Sequence, residues 1–135
     1  MCFVCLDDVE VDELDWGSIG WMVRPQSVPD AKHITAMRVR INPGMGHDFH
    51  IHPEQEELIL LVSGQGETWI EEERKELRPG DAAFIPMATP HASFVPAEAE
   101  EPAEFLVILG PSAGPGGYVT VDVFDQEPWA SIRNT

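Results

Sequence analysis

Positive charge is scarce in this sequence. Lys and Arg together number 8 of 135 residues, against 24 Asp and Glu, which leaves a formal net charge of −16. So acidic a chain repels phosphate backbones and anionic lipid heads, which argues against nucleic acid and membrane partners. Long apolar runs are missing too. The longest clean ones, residues 58–62 (LILLV) and 105–109 (FLVIL), have the length of strands and fall far short of a bilayer span. The opening MCFVCLDDVE turns acidic after six residues and has no basic leader, so no signal peptide is expected and a cytoplasmic location is. Cysteine is limited to Cys2 and Cys5. Their C-x-x-C spacing has no second pair to complete a zinc site and no helix pattern after it, so it reads as chance in a buried or frayed N-terminal strand.

Helical periodicity is nearly absent, and only residues 129–133 suggest a helical turn. What is present is punctuation. With 11 Gly and 12 Pro, the chain breaks into short apolar runs separated by turn signals. Residues 33–41 alternate, with Thr35, Met37, Val39 and Ile41 on one face and Arg38 and Arg40 on the other. Residues 57–62 read as a strand buried on both faces, turning at residues 63–66 into a hairpin partner at 67–71. Strands are expected also at 49–52, 82–86, 90–95, 105–109 and 118–124. The acidic stretches 71–76 (EEERKE) and 98–104 (EAEEPAE) read as solvated loops. About eight to ten short, evenly spaced strands point to an all-β sandwich or barrel. Residues 1–30 form an N-terminal extension or edge strand, 31–125 the barrel and 126–135 a C-terminal tail. Met37, Val39, Ile59, Leu61, Trp69, Phe84 and Phe94 are expected inside. Trp16, Trp21 and Trp129 fall outside these strands, suited to packing an extension over the barrel or a dimer interface.

Chemistry concentrates in the stretch GMGHDFHIHPEQEEL, residues 44–58, which holds three of the five histidines. His50 and His52 are two apart, so an extended strand sends both imidazoles from one face, a ready pair for a metal. Glu57 opens the next strand, where a neighbouring carboxylate can join them. His91, after the proline turn of a later segment, is the candidate for a further nitrogen. His47 reads as an exposed loop residue before the strand, the alternative being an acid or base beside the metal. Gln55 and Glu56 read as a polar turn, with Glu56 the substitute ligand if the register is offset by one. His33 reads as surface.

The spacing of these residues carries a family resemblance. Gly44, five residues, His50, one residue, His52, four residues, Glu57, six residues and Gly64 make the first segment. Gly80, five residues, Pro86, one residue, Ala88, two residues and His91 make the second. Together they resemble the two signature motifs of the cupin superfamily, small jelly-roll barrels of the double-stranded β-helix type. Ala88 departs from the Gly usual there, a cheap change if its φ is negative. Val95 stands where the family often has Asn, and strand parity through Ser93 makes it an apolar wall of the pocket.

The resemblance implies an all-β double-stranded β-helix with few or no helices. It implies His50, His52, Glu57 and His91 as inward-facing ligands, at the barrel mouth, of one divalent first-row transition metal (Fe, Mn, Ni or Zn). Three neutral imidazoles, one carboxylate and a divalent ion sum to about +1 by counting charges. A small-molecule substrate and a homodimer are expected partners. The leading functional expectation is a metal-dependent enzyme of oxygenase or isomerase type acting on an organic small molecule. The alternative is a non-catalytic metal- or ligand-binding module for sensing or storage.

Overall fold

Thr35, Met37, Val39 and Ile41 are all buried while Arg40 among them is exposed, so the alternation becomes a strand with one face on a core. The computed structural model describes residues 2–132 and is built mostly from such strands. In chain order these are β1 (Glu10–Leu14), β2 (Gly17–Val23), β3 (Thr35–Ile41), β4 (Gly46–Ile51), β5 (Glu56–Ser63) and β6 (Gly66–Ile70). Then come β7 (Glu73–Leu77), β8 (Ala82–Ile85), β9 (His91–Phe94), β10 (Ala103–Gly110) and β11 (Val121–Asp122). A 3-10 turn, Leu6–Asp8, precedes β1, and the one short helix among the described residues is α1 (Trp129–Ile132). Arg133, the end of the expected helical turn, lies outside the described residues. No described helix is long and apolar enough to cross a membrane.

The strands form two antiparallel sheets, ordered β1-β2-β3-β10-β5-β8 and β11-β4-β9-β6-β7, which is the expected jelly roll. The inner face of the six-stranded sheet carries the main core, with Met37, Ile41, Ile59, Leu61, Ile85 and Phe105 buried against one another. Each such side chain stabilises the fold by about 1.5–3 kcal/mol. A smaller cluster of Phe49, Ala92, Phe94 and Val123 packs with Trp69, Trp129 and Ile132 on the other face of β4 and β9. Phe94 and Trp69 are therefore core residues, but outside the barrel. Residues 10–23, the least readable part of the sequence, supply β1 and β2. Trp21 of β2 is buried, its indole donates to Asp12 at 2.8 Å, and Arg24 lies 4.0 Å over its ring. Gly64 has φ 90, and a Cβ there would stand 2.9 Å from the Ala103 Cα, so this turn admits only glycine.

Several expectations fail for physical reasons. The turn at residues 63–66 does not close a hairpin: β5 and β6 belong to different sheets, and β6 pairs with β7 and β9. Residues 73–77 are not a loop but edge strand β7, whose charges flank an open ladder as edge strands often do. Arg74 there binds Glu67 and Glu76. Likewise Ala103 and Glu104 open β10, and Arg38 pairs with Glu104 at 2.6 Å. Strand β5 is covered on one face only, with Leu58 40% exposed. Phe84 is 54% exposed on β8, because Ala83 and Ile85 take the inward positions. The last strand shrinks to Val121–Asp122, since the backbone of Val119 is taken up by the side chains of Gln55 and His52. Cys2 and Cys5 are exposed thiols, and no strand forms at either. Ala88 has φ 57, in the left-handed region, so its methyl is not cheap.

Candidate metal centre

Both sheets contribute to the site. His50 on β4 stands directly opposite His91 on β9 in the five-stranded sheet. His52 leaves the end of β4, and Glu57 enters from β5 of the other sheet. All four are buried. One donor atom from each lies within 4.8 Å of every other, so the structure brings together the four side chains singled out in the sequence. Glu56 is exposed and stands outside this cluster, which Glu57 joins.

The protonation of the three imidazoles follows from their partners. Nδ1 of His50 lies 2.7 Å from the Asp48 carbonyl, Nδ1 of His52 2.9 Å from that of Val119, and Nδ1 of His91 2.8 Å from that of Thr89. A carbonyl only accepts, so each Nδ1 carries the hydrogen. Each Nε2 then presents a lone pair, the arrangement by which second-sphere bonds orient a metal-binding histidine. The Nε2 atoms of His52 and His91 and the Oε1 of Glu57 are buried, and no hydrogen-bond donor among the described residues satisfies them. Glu57 Oε1 nonetheless sits 2.6 Å from His91 Nε2 and 3.4 Å from His52 Nε2. Contacts this close between an imidazole nitrogen and a carboxylate oxygen need a proton or a cation between them. The donor set, nitrogen and carboxylate oxygen, fits a divalent first-row ion.

In the protein without an ion, burial pushes the Glu57 carboxyl up, and contact with the His52 and His91 side chains overcomes this and holds it well below the usual carboxylate range, which requires a proton on the facing nitrogen where no ion stands. Burial, reinforced by neighbouring His47, His91 and His52, holds His50 well below the usual imidazole range. His50 thus stays neutral and able to donate its lone pair near neutral pH.

His47 is not the exposed loop residue expected. Its ring stacks on His50 with centroids 3.7 Å apart and on Trp16 at 5.2 Å. Parity would place residues 47 and 50 on opposite faces. A bulge between them, two residues of β4 against one of β9, restores His47 to the inner face. Asp48 braces the bulge, its side chain accepting from the Phe49 amide at 2.8 Å. Burial lowers the His47 pKa to about 4.

Beside the four donors lies a small pocket that opens to solvent. Its walls include Ile19, Met37, Val39 and Phe105, together with Trp16, His47 and Tyr118. Val95 is buried in the core but does not line this cavity, contrary to its expected place. Tyr118, 5.5 Å from the His52 ring, and Trp16 were not singled out as site residues. Both come from segments whose only signal was a lone aromatic beside a turn. Gln55 is no turn residue: it is 1% exposed, donates to the carbonyls of Pro111 (2.8 Å) and Gly117 (3.0 Å), and accepts from the Val119 amide. It fixes the segment that in turn holds His52. His33 is exposed, as expected.

The family profile described as "Cupin domain" matches residues 37–109, more than half of the chain. The chain belongs to the cupin family. An uncharacterized protein of Aquifex aeolicus (strain VF5) is 40% identical over 42 residues, 31% of this chain and 35% of its own. Among solved structures, the oxalate decarboxylase of Lactobacillus farciminis in its formate complex superposes with a TM-score of 0.76 at 23% identity, over 87% of this chain and 34% of that one. The polyketide cyclase RemF from Streptomyces resistomycificus gives 0.74 at 20% identity, over 100% of this cupin and 94% of its own chain. KdgF from Halomonas sp. gives 0.70 at 21%, over 82% and 95%. This cupin spans about a third of the Aquifex relative and of the decarboxylase. At these identities the likeness to the solved structures is one of fold.

Proposed function

We propose that this cupin is a small metal-dependent enzyme, of oxygenase or isomerase type, acting on an organic small molecule. His50, His52, Glu57 and His91 would hold one divalent ion (Fe, Mn, Ni or Zn). The observation that carries the reading is the set of three Nδ1–H bonds to backbone carbonyls, which turn imidazole lone pairs toward the Glu57 carboxylate. A bound ion of this kind supplies Lewis-acid polarisation of substrate oxygens, and redox chemistry if it is iron. The chain's own part is to keep the imidazoles neutral, to exclude water with an apolar wall, and to seat the organic body in the cavity. A pocket that opens beside the donors argues against a site that seals a metal away for storage. Two copies pair, in this proposal, through the outer face of the six-stranded sheet, where Ile108, Leu58 and Phe84 sit in one cross-strand row.

The test begins with elemental analysis of the purified protein, then chelation and reloading with each ion in turn. Oxygen uptake and substrate turnover are followed across a panel. The wild type is expected to retain about one ion per chain, and His50→Ala to lose most of its affinity. Equal metal content in the two proteins would sink the assignment. Stoichiometric metal with no turnover under any ion would favour the binding module.

A further inference from the structure

The charge and shape of the cavity narrow the substrate class, an inference that rests on the metal reading above. Sorted by chemistry, the lining has two parts. Ile19, Met37, Val39, Ile59, Phe105 and Val107 form a wall with no hydrogen-bonding side chain. Trp16, His47 and Tyr118 form an aromatic side around the donors. Ser93 also lines the cavity, but its hydroxyl is engaged with that of Thr68 at 2.9 Å. Among the described residues, no Lys or Arg lines the cavity. Arg24 is spent elsewhere, over the Trp21 ring and 3.5 Å from Glu10.

An anionic substrate must therefore be balanced by the site itself. Three neutral imidazoles, one carboxylate and a divalent ion offer about +1. A monoanion closes that balance. A small dicarboxylate, doubly charged at neutral pH, leaves an uncompensated negative charge against an apolar wall, which is costly. His47 lies stacked between His50 and Trp16, which leaves the rings of Trp16 and Tyr118 to meet a planar ligand.

We infer that the site takes a planar, largely apolar organic molecule bearing no more than one negative charge and presenting two neighbouring oxygens to the ion, and that it discriminates against small dicarboxylates. The fold is shared with oxalate decarboxylases, so the inference separates this cupin from proteins of the same shape.

Tropolone and oxalate make a matched pair of probes. Both chelate through two adjacent oxygens, tropolone as a flat monoanion and oxalate as a dianion. Zinc-loaded protein is titrated with each by calorimetry, and each affinity is normalised to that for zinc in buffer. The normalised preference for tropolone is expected to be at least about tenfold, equivalent to about 1.4 kcal/mol. Trp16→Arg, at a half-buried turn, places a cation at the mouth and should move the ratio toward oxalate by about tenfold, while Trp16→Phe leaves it near the wild type. Normalised oxalate binding as tight as tropolone binding in the wild type overturns the inference, and so does an unmoved ratio in a folded, zinc-replete Trp16→Arg protein. A wild type that retains no zinc, seen by elemental analysis before any titration, removes the metal reading and this inference with it. Full zinc without preference removes this inference alone.

Discussion

Ala88 holds a left-handed backbone, φ 57, at an exposed turn. Ala88→Gly should relieve that strain and raise stability by about 0.5–1 kcal/mol, the usual difference at such positions. Urea unfolding measures it, and a decrease would show that the methyl stabilises the turn. His47 and His50 give a second test, in protein freed of metal. Their pKa values are lowered, His47 from 6.5 to about 4, mainly because burial disfavours a charged imidazole. The unfolded chain then binds more protons than the fold, and stability falls as pH drops from 6.5 toward 4. Glu57, held low in the fold, adds to the loss below its ordinary 4.5. The denaturation midpoint should fall steadily from pH 7 to about pH 4, and His47→Phe should flatten the upper part of that slope. A pH-independent midpoint would put both rings in water.

At the scale of elements, Gln55 joins β5 to the segment before β11 through three hydrogen bonds in a buried place. Gln55→Leu fills the volume but strands the Pro111 carbonyl and the Val119 amide, while the Gly117 carbonyl keeps Thr35 and Ala113, so a loss of about 2–4 kcal/mol is expected. It should also weaken metal retention, because Val119 no longer holds His52 in place. Normal retention in a destabilised variant would separate the two effects. Gln55 also marks how far a sequence can be read. Its partners lie 56 to 64 residues away, and nothing local distinguishes it from a polar turn residue. What is local was legible: the alternation of β3, the parity of His50 and His52, and the glycine-spaced motifs that single out Glu57 and His91. His47 escaped because one extra residue in β4 reverses parity, and the only local sign was an Asp beside it. β7 escaped because a charged edge strand has the composition of a loop. Phe84 and Leu58 were misplaced because apolar character does not say which face of a sheet is covered.

For the whole molecule, the outer face of the six-stranded sheet is one place where apolar side chains meet solvent in a row. Leu58 and Phe84 are cross-strand partners, and both are exposed. Leu58→Glu together with Phe84→Glu should turn a dimer into a monomer in sedimentation equilibrium without changing metal content. A wild type that sediments as a monomer at high concentration would retire the dimer.

The division of the site between layers has a mechanical consequence. Neither sheet shares a strand with the other. The three imidazoles hang from one sheet and the carboxylate from the other, so an ion among them would act as a rivet through the barrel wall. Loading would then resist the two layers' separating, and amide hydrogen exchange should slow together in β4, β9 and β5. Slowing confined to β4 and β9 would mean that Glu57 is left out of the joint.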